Sequence, residues 1–363
     1  MARTRPARIG LGVWALIVAL VALVALTFLP TPYVIQRPGP VYNTLGTAAS
    51  ADGEQVPLIE IEGTKTFETS GSLNLTTVQV VGNRERTPSW FELALAWMDS
   101  SRAVVPLDSV FPVGVTSEQR DEQNAMLMVD SQHEATAAAL HQLGYDTGAE
   151  VEVVSIVEDS AADGLLEEGD RVEAVDGEPL SSASALRAAV QDSTGEPLEL
   201  TVLRDGEEKR IEVTPKQEEV GGVDTWLIGI SFTTEYDFPI DVAIQLDNVG
   251  GPSAGMMFAL GIVDELTPGK LTGGKDIAGT GTIDATGAVG PIGGIRQKLY
   301  GARDAGADYF LAPSTNCNEV VGHIPDGLTV ISTSTLEESL DALEVIADGG
   351  DIDALPACTA AAG

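Results

Sequence analysis

The N-terminal part of the chain contains a long apolar run without a charged residue. Residues 9–29 read IGLGVWALIVALVALVALTFL. As a helix, these 21 residues would rise about 31 Å, which is close to the thickness of the hydrocarbon core of a bilayer. We therefore predict one transmembrane helix, Ile9 to Leu29, through which the protein contacts the membrane.

The charges around this run predict its orientation. Arg3, Arg5 and Arg8 precede it, whereas Arg37 is the only nearby basic residue that follows it. Because positive charge favours the cytoplasmic side, we predict a single-pass protein of the cell membrane with a cytoplasmic tail, residues 1–8, and an extracellular catalytic domain. The alternative is a cleaved signal peptide, although the run exceeds a usual signal core and no clear Ala-x-Ala site follows it.

The composition narrows the possible partners and cofactors. The chain has 20 Lys and Arg against 55 Asp and Glu, a formal net charge of −35, and such a field repels phosphate backbones, so we expect no nucleic-acid partner. Two cysteines and three histidines without metal-pair spacing predict neither a metal site nor a cofactor. In an exported chain Cys317 and Cys358 can form a disulfide, and two unrelated free thiols are the alternative.

The residues after the apolar run divide into segments of different patterning. The stretch PTPYVIQRPGPVYNTLG contains prolines that forbid a helix, so residues 30–56 are predicted to be an irregular neck. Residues 57–143 combine β-rich and helical patterns, which predicts a mixed α/β region. Residues 348–363 are predicted to be a C-terminal tail.

Residues 144–217 have the pattern of a small strand-rich module. The strand VEVVSIV, a helix near Leu186 and a hairpin with Asp205 and Gly206 at its turn follow one another. This order resembles a PDZ domain, a family that binds extended peptide tails by adding a strand to a sheet edge. The resemblance implies a groove between strand 151–157 and the helix, with the loop 143–146 receiving a terminal carboxylate. An architectural insert is the alternative.

A glycine-rich turn before an apolar helix carries the first candidate catalytic residue. Ser253 lies in the sequence GPSAG, residues 251–255, where the predicted helix starts. The positive end of the helix dipole and unpaired backbone amides favour developing negative charge there, which suits a nucleophile and an oxyanion hole. Gly251 and Ala254 would support this site. The alternative is an ordinary helix-capping serine.

A serine nucleophile needs a base, and no histidine is clearly placed to serve. Among the six lysines, Lys298 is distinctive because it falls on the apolar face formed by Ile295, Leu299 and Ala302 of a predicted helix. Burial on that face would depress the pKa of the amine from about 10.4 and leave it able to accept a proton. The alternative is a lysine whose stem packs on this face while its ammonium reaches water.

The remaining motifs complete a recognisable combination. GPSAG, then TGTI at 280–283, then PIGG followed four residues later by Lys298, then GADYFLAP at 306–313, resemble the proteolytic domain of Lon-type proteases. The resemblance covers residues 218–347 and implies an α+β fold of the ribosomal-protein-S5-domain-2-like type. It also implies that Ser253 is the nucleophile, that Lys298 is the general base, and that Thr280 orients the lysine amine.

The same resemblance has implications for the rest of the chain. GSLNLTTVQVV and the helix after it are similar to the first strand and helix of the Lon-type fold, which would make the PDZ-like module an insertion. No counterpart of the family's ATP-driven module is recognised. The stretch GKLTGGK, residues 269–275, has the spacing of a phosphate loop, but the residue that follows it is Asp276, where a phosphate loop needs Ser or Thr. We therefore expect no nucleotide partner.

The layout of the whole chain resembles membrane-anchored PDZ-Lon proteins of Gram-positive bacteria. Lon-type domains commonly form rings, so the resemblance also implies a homo-oligomer.

These features together predict a membrane-anchored, extracytoplasmic, ATP-independent serine endopeptidase with a Ser253–Lys298 dyad. Its substrates would be unfolded or flexible polypeptides. One alternative is a non-catalytic peptide-binding adaptor or chaperone at the cell surface, and another is a protease limited to self-processing. An adaptor would not need an inward-facing lysine, so the set Ser253, Thr280 and Lys298 favours catalysis.

Overall fold

The computed structural model describes residues 11–49, 53–112, 114–180, 182–220, 223–246 and 249–359. Its strands are β1 (Tyr33–Asn43), β2 (Thr47–Ala49), β3 (Gln55–Pro57), β4 (Ile59–Glu62), β5 (Ser72–Val81), β6 (Ala103–Pro106), β7 (Glu150–Ile156), β8 (Arg171–Val175), β9 (Glu178–Pro179), β10 (Leu198–Arg204), β11 (Glu207–Val213), β12 (Lys216–Val220), β13 (Val223–Leu227), β14 (Ile230–Glu235), β15 (Asp241–Ile244), β16 (Asp276–Gly279), β17 (Thr282–Ile283), β18 (Val289–Gly290), β19 (Tyr309–Pro313) and β20 (Thr329–Thr333). Its helices are α1 (Leu11–Phe28), α2 (Trp90–Trp97), α3 (Leu107–Val110), α4 (Ser117–Gln142), α5 (Ala183–Asp192), α6 (Gly255–Leu266), α7 (Ile295–Asp304), α8 (Cys317–Val320) and α9 (Leu336–Ala347).

The first large sheet joins segments that are far apart in the sequence. Its strand order is β20-β19-β16-β5-β1-β6. Strands β5, β16, β19 and β20 are parallel neighbours, with Ser72 opposite Asp276 where β5 meets β16. Strand β1 is antiparallel to both β5 and β6. Segments from before and after the PDZ-like module therefore build one sheet, and the module lies between them in the sequence.

Helix α6 forms the centre of the hydrophobic core beside this sheet. All residues from Gly255 to Asp264 are buried, because α6 contacts β5 as well as helices α4 and α9. The side chains of Met257, Phe258 and Leu260 are fully buried, and burying a side chain of this size stabilises the fold by about 1.5–3 kcal/mol. The start of α6, which follows the GPSAG turn, is thereby held rigidly.

The second large sheet has its own core. Its strand order is β11-β10-β8-β7-β14, and helix α5 covers it with the fully buried Leu186 packed among its apolar side chains. Strands β10 and β11 form the predicted hairpin, in which Asp205 and Gly206 have φ angles of 54° and 80°, as a type I′ turn requires. Strand β14 follows residue 217, so this sheet extends beyond the predicted end of the PDZ-like module.

The structure does not have the irregular neck that the prolines predicted over residues 30–56. Strand β1 has 11 residues and lies inside the sheet between β5 and β6. Its register with β5 shifts between Pro38 and Val41, so the prolines lie at an irregularity where a missing amide hydrogen does not interrupt the ladder. A Cβ at Gly39 would collide with Thr77, which explains the glycine. Pairing with two distant strands decides this conformation.

Helix α1 contains most of the apolar run. Its side chains include the exposed Trp14, Leu16 and Val18. Within the part of the chain that the structure describes, no helix has the length and apolarity that crossing a membrane needs. The predicted span starts at Ile9, and this residue lies outside the described residues, as does the predicted tail 1–8.

Cys317 and Cys358 form a disulfide bond across a sequence separation of 41 residues. A cross-link that closes a loop of this length stabilises the folded chain by about 4 kcal/mol, because it lowers the entropy of the unfolded chain. We expect the double variant Cys317→Ser, Cys358→Ser to lose about that amount of unfolding free energy in a urea titration. The reduced wild-type protein should show the same loss, since the same link is removed. A loss of less than about 1 kcal/mol would contradict the expectation.

Candidate active site

The structure brings Ser253 and Lys298 into direct contact. The Nζ atom of Lys298, on helix α7, lies 2.7 Å from the Oγ atom of Ser253 and 2.7 Å from the Oγ1 atom of Thr280. Lys298 is only 2% exposed, because α7 packs its apolar face, including Ile295 and Leu299, against the sheet. Its amine therefore does not reach water. This differs from the alternative in which the stem of the lysine packs on the apolar face and its ammonium is solvated.

Burial determines the charge of this amine. The pKa of Lys298 is lowered to about 7, because removal from water disfavours the ammonium form. Its hydrogen-bond partners are two neutral hydroxyl groups. At pH 7 about half of the molecules would carry a neutral amine, against fewer than about one in a thousand for an exposed lysine. A neutral amine beside a serine hydroxyl is able to accept its proton.

Thr280 holds the two reacting groups together. Its hydroxyl donates to the carbonyl oxygen of Ser253 at 2.9 Å, and the Gly281 N–H donates to the same oxygen at 3.0 Å. The Thr280 N–H in turn donates to the Leu311 carbonyl of strand β19 at 3.2 Å. Across the described ranges, no group of three His, Cys, Asp or Glu side chains could hold a metal ion. The hydrogen bonds of the site join hydroxyl, amine and backbone groups.

The GPSAG turn presents Ser253 just before helix α6. The helix begins at Gly255 with Ala254 as its N-cap, and no side chain forms a capping hydrogen bond, so Ser253 does not act as a cap. Gly251 has a φ angle of 88°, a conformation that favours glycine, and its N–H donates to the Asn124 carbonyl at 2.9 Å. The N–H groups of Ser253 and Ala254 have no backbone acceptor within the described residues. These two amides are available for an oxyanion.

Asn316 is a site-supporting residue that sequence reasoning missed. Its buried side chain accepts a hydrogen bond from the Ile292 N–H at 2.9 Å and donates to the Ile292 carbonyl at 2.9 Å. Ile292 belongs to the PIGG loop, whose Gly294 is the N-cap of α7. Asn316 therefore fixes the loop from which the Lys298 helix starts. The sequence feature that could have indicated this role is an amide side chain shortly after the apolar strand YFLAP, residues 309–313.

We expect Asn316→Ala to lower cleavage by about tenfold and to reduce the unfolding free energy by about 2 kcal/mol, because two buried backbone groups lose their partner. Asn316→Asp retains the acceptor and should give a smaller loss of cleavage. If Asn316 positions the lysine, the pH at which cleavage is half-maximal should also move in Asn316→Ala. Equal loss of stability with an unchanged pH profile would assign Asn316 a structural role alone.

Two cavities flank the GPSAG turn. One, of about 1000 Å³, includes Gly250 together with Val78 of β5 and Asn124 of α4 in its lining. The other, of about 500 Å³, includes Pro252 and Thr282. The lining of the second cavity thus includes the residue before Ser253, and the lining of the first includes a residue three positions before it.

The peptide groove of the PDZ-like module differs from the predicted one. Strand β7, which corresponds to the predicted groove strand 151–157, is paired on both sides, with β8 and with β14, so it has no edge for an added strand. Its outer neighbour β14 ends the sheet and lies beside α5, where the Ala183 N–H donates to the Thr234 hydroxyl at 3.2 Å. The sequence did not reveal that β14 would return to cover β7.

The predicted carboxylate loop, residues 143–146, terminates helix α4. The Gly144 N–H donates to the His141 carbonyl and the Tyr145 N–H to the Leu140 carbonyl, both at 2.9 Å, and Gly144 has a φ angle of 82°. This is the arrangement of a glycine helix C-cap. Because these amides satisfy helix carbonyls, they are not available to receive a carboxylate.

Comparison with known proteins assigns families to two regions. Residues 230–345 match the Lon protease (S16) C-terminal proteolytic domain, and residues 152–204 match a PDZ domain. The crystallised PDZ domain of the SdrC-like protein from Listeria innocua is 20% identical, covering 24% of this chain and 99% of that chain with a TM-score of 0.22.

Several curated proteins that the chain is similar to are Lon proteases. Lon protease 1 of Bacillus subtilis is 34% identical over 132 residues, which is 36% of this chain and 16% of the relative. The Lon protease of Halothermothrix orenii is 33% identical over 144 residues, or 39% of this chain and 17% of the relative. The chain thus spans less than a fifth of the length of these two relatives. Residues 230–345 are therefore similar to the proteolytic domain of Lon proteases, and the segment before them, residues 152–204, is similar to a PDZ domain.

Proposed function

We propose that the protein is a serine endopeptidase in which Ser253 is the nucleophile and Lys298 the general base. The single observation that carries this proposal is the 2.7 Å separation of Lys298 Nζ and Ser253 Oγ in a place where burial lowers the pKa of the lysine to about 7. No structural requirement of the fold explains a buried lysine, since an apolar side chain at this position would avoid the desolvation cost.

The chemistry follows from this pair. The neutral amine accepts the Ser253 proton as Oγ attacks the scissile carbonyl carbon, and the amides of Ser253 and Ala254 stabilise the resulting oxyanion. The Lys298 ammonium then gives its proton to the leaving amine as the C–N bond breaks. In the second half-reaction Lys298 takes a proton from the water that attacks the acyl carbon. As the bond between the acyl carbon and Ser253 Oγ breaks, the Lys298 ammonium returns this proton to Oγ, which regenerates the hydroxyl and releases the new carboxyl terminus.

The test is to incubate the protein with an unfolded, casein-type substrate and, separately, with a serine-directed probe. The wild type should cleave the substrate and be labelled at Ser253. The variants Ser253→Ala and Lys298→Ala should each lose at least about a thousandfold in cleavage rate, as removal of a nucleophile or its base does in serine proteases. Unchanged cleavage in either variant would refute the dyad. Peptide binding without cleavage in the wild type would favour the adaptor alternative.

We propose that cleavage needs no nucleotide. The stretch GKLTGGK resembles a phosphate loop in spacing alone, because a phosphate loop is followed by a helix whereas Asp276 here begins strand β16. A peptidase that cleaves without nucleotide hydrolysis would act on unfolded or flexible polypeptides. Cleavage rates with and without ATP and Mg²⁺ should therefore agree, and a compact folded substrate should resist cleavage until it is denatured.

We propose that polypeptide substrates are also held by the PDZ domain, in the cleft between β14 and α5. An outer strand beside a helix is the arrangement in which an extended peptide adds to a sheet. By analogy with Lon-type rings, a homo-oligomer would bring several such clefts together. Sedimentation velocity over a range of protein concentrations tests this assembly, and a monomer throughout would refute it.

We propose finally that the protein is attached to the cell membrane through its N-terminal segment, with the catalytic domain outside, as in membrane-anchored PDZ-Lon proteins of Gram-positive bacteria. The uncharged sequence of residues 9–29, the exposed apolar side chains of α1 and a disulfide typical of oxidising compartments support this proposal. The full chain should stay in carbonate-washed membranes and be accessible to external protease. A variant without residues 1–29 should be found in the soluble fraction.

A further inference from the structure

The cavity of about 500 Å³ lies where the PDZ and proteolytic domains face each other. Strand β14 and helix α5 contribute to its lining from the PDZ side, and helix α4 and the β17–β18 hairpin contribute from the proteolytic side. Pro252, the residue before Ser253, is also part of the lining. A cavity of this volume is within the range of about 300–1,000 Å³ that is usual for ligand sites. Its position beside the nucleophile makes it accessible to a substrate segment next to the scissile bond.

Three carboxyl groups are part of the lining of this cavity. Asp130 and Glu134 are one turn apart on α4 and therefore lie on the same face of that helix. Asp284 adds a third carboxyl group from the hairpin, and its Oδ1 accepts hydrogen bonds from its own turn, including the Ala288 N–H at 3.0 Å. Among the described lining residues, the permanent cation is Arg187, whose guanidinium lies 5.2 Å from the centre of the Phe232 ring. The cavity is thus net negative.

Glu134 is the carboxyl group in this lining with the least favourable environment. Its Oε2 accepts one hydrogen bond, from the Ala285 N–H at 2.6 Å, yet burial outweighs this bond and raises its pKa. The Tyr236 hydroxyl beside it is inaccessible to water and interacts with the Glu134 carboxyl group. Removing polar groups from water without adequate partners costs free energy. A cation that entered the cavity would offset this cost.

We propose that this cavity is a side-chain subsite of the peptidase and that it selects polypeptides with a lysine or arginine close to the scissile bond. The proposal rests on the proposed function and adds a substrate class to it. A basic side chain would form charge-assisted contacts with Glu134 and Asp130, while its backbone continues past Pro252 to Ser253. The net charge of −35 attracts basic segments over longer distances, but that field does not distinguish one sequence position from another. A local subsite distinguishes the position next to the scissile bond from the other positions of the substrate.

The experiment uses three unstructured peptides that differ at one position near the cleavage point, where they carry Lys, Gln or Glu. For the wild type, kcat/KM should be highest for Lys and lowest for Glu. Glu134→Gln retains an acceptor for Ala285 but removes the charge, and it should reduce the Lys-to-Gln ratio of kcat/KM by about tenfold, the usual effect of losing a hydrogen bond to a charged group. Asp130→Asn should also lower the Lys-to-Gln ratio of kcat/KM. Arg187→Gln should raise it, because a competing cation is removed.

The matched control is Glu122→Gln, which makes the same change of charge at an exposed position of α4 outside the cavity lining. This variant should leave the Lys-to-Gln ratio unchanged. The proposal is overturned if Glu134→Gln leaves the ratio unchanged, or if Glu122→Gln lowers it equally. The Kd values of the three peptides for the Ser253→Ala variant decide the question independently of catalysis. If the wild type cleaves none of the peptides, the proposed function fails, whereas preferential Lys binding that depends on Glu134 would still support the subsite.

Discussion

Replacing Lys298 by Met should abolish cleavage and at the same time make the protein more stable at pH 7. We expect cleavage to fall by at least about a thousandfold, because no other base contacts Ser253 Oγ within the described residues. We expect the unfolding free energy to rise by about 2 kcal/mol. A residue whose removal stabilises the fold but destroys activity is one that the fold retains for function.

The sign of the stability change follows from the two pKa values of the lysine. In the unfolded chain the pKa is the ordinary value of 10.5, and in the folded protein burial lowers it to about 7. The folded state therefore binds fewer protons than the unfolded state between these values, and it is disfavoured by about 1.4 kcal/mol per pH unit of difference. At pH 7 this cost is about 4 kcal/mol. The lost contacts with Ser253 and Thr280 offset about half of it.

The pH dependence separates this explanation from a simple packing effect. The extra stability of Lys298→Met should be largest at pH 7 and below and should reach zero at about pH 9. Above pH 10.5 the wild-type lysine is neutral in both states, so only the loss of its contacts remains and the variant should be less stable than the wild type by about 2 kcal/mol. Urea titrations at several pH values measure this trend. Lys275→Met, at an exposed position, is the matched control and should change little. A Lys298→Met variant that is less stable at pH 7 would contradict the desolvation argument.

The sequence was sufficient to predict the Ser253–Lys298 contact because two kinds of signal pointed to it. GPSAG before an apolar helix indicated Ser253, and the apolar face of the helix at 295–302 indicated Lys298 as a lysine directed inwards. Both signals are local, since each depends on residues within one or two helical turns. The family resemblance then supplied the pairing between segments 45 residues apart.

The features that sequence reasoning missed depend on contacts between distant segments. Strand β1 contains two prolines and gives a local signal for irregular structure, yet it is held between β5 and β6. The groove of the PDZ domain was predicted at β7 because β14, about 75 residues later, gives no sign that it pairs there. Asn316 has its role through Ile292, which lies 24 residues earlier. None of these pairings has a periodicity that a single sequence exposes.

The rate of cleavage should fall steeply below neutral pH. Only the neutral form of Lys298 is able to accept the Ser253 proton, and its pKa in the folded protein is about 7. The value of kcat/KM should therefore drop about tenfold for each pH unit below 7, to about one hundredth of its plateau at pH 5, and should be nearly constant above pH 8.

This profile is measured with a peptide substrate that has no ionisable side chain, so that only groups of the enzyme titrate. The rate at which a serine-directed probe labels Ser253 should follow the same curve, because the same hydroxyl must be activated in both reactions. Circular dichroism at each pH verifies that the loss at pH 5 is not unfolding. A rate that keeps increasing up to pH 10 would mean that Lys298 titrates as an exposed amine. A rate that stays flat between pH 5 and pH 8 would mean that a different group activates Ser253.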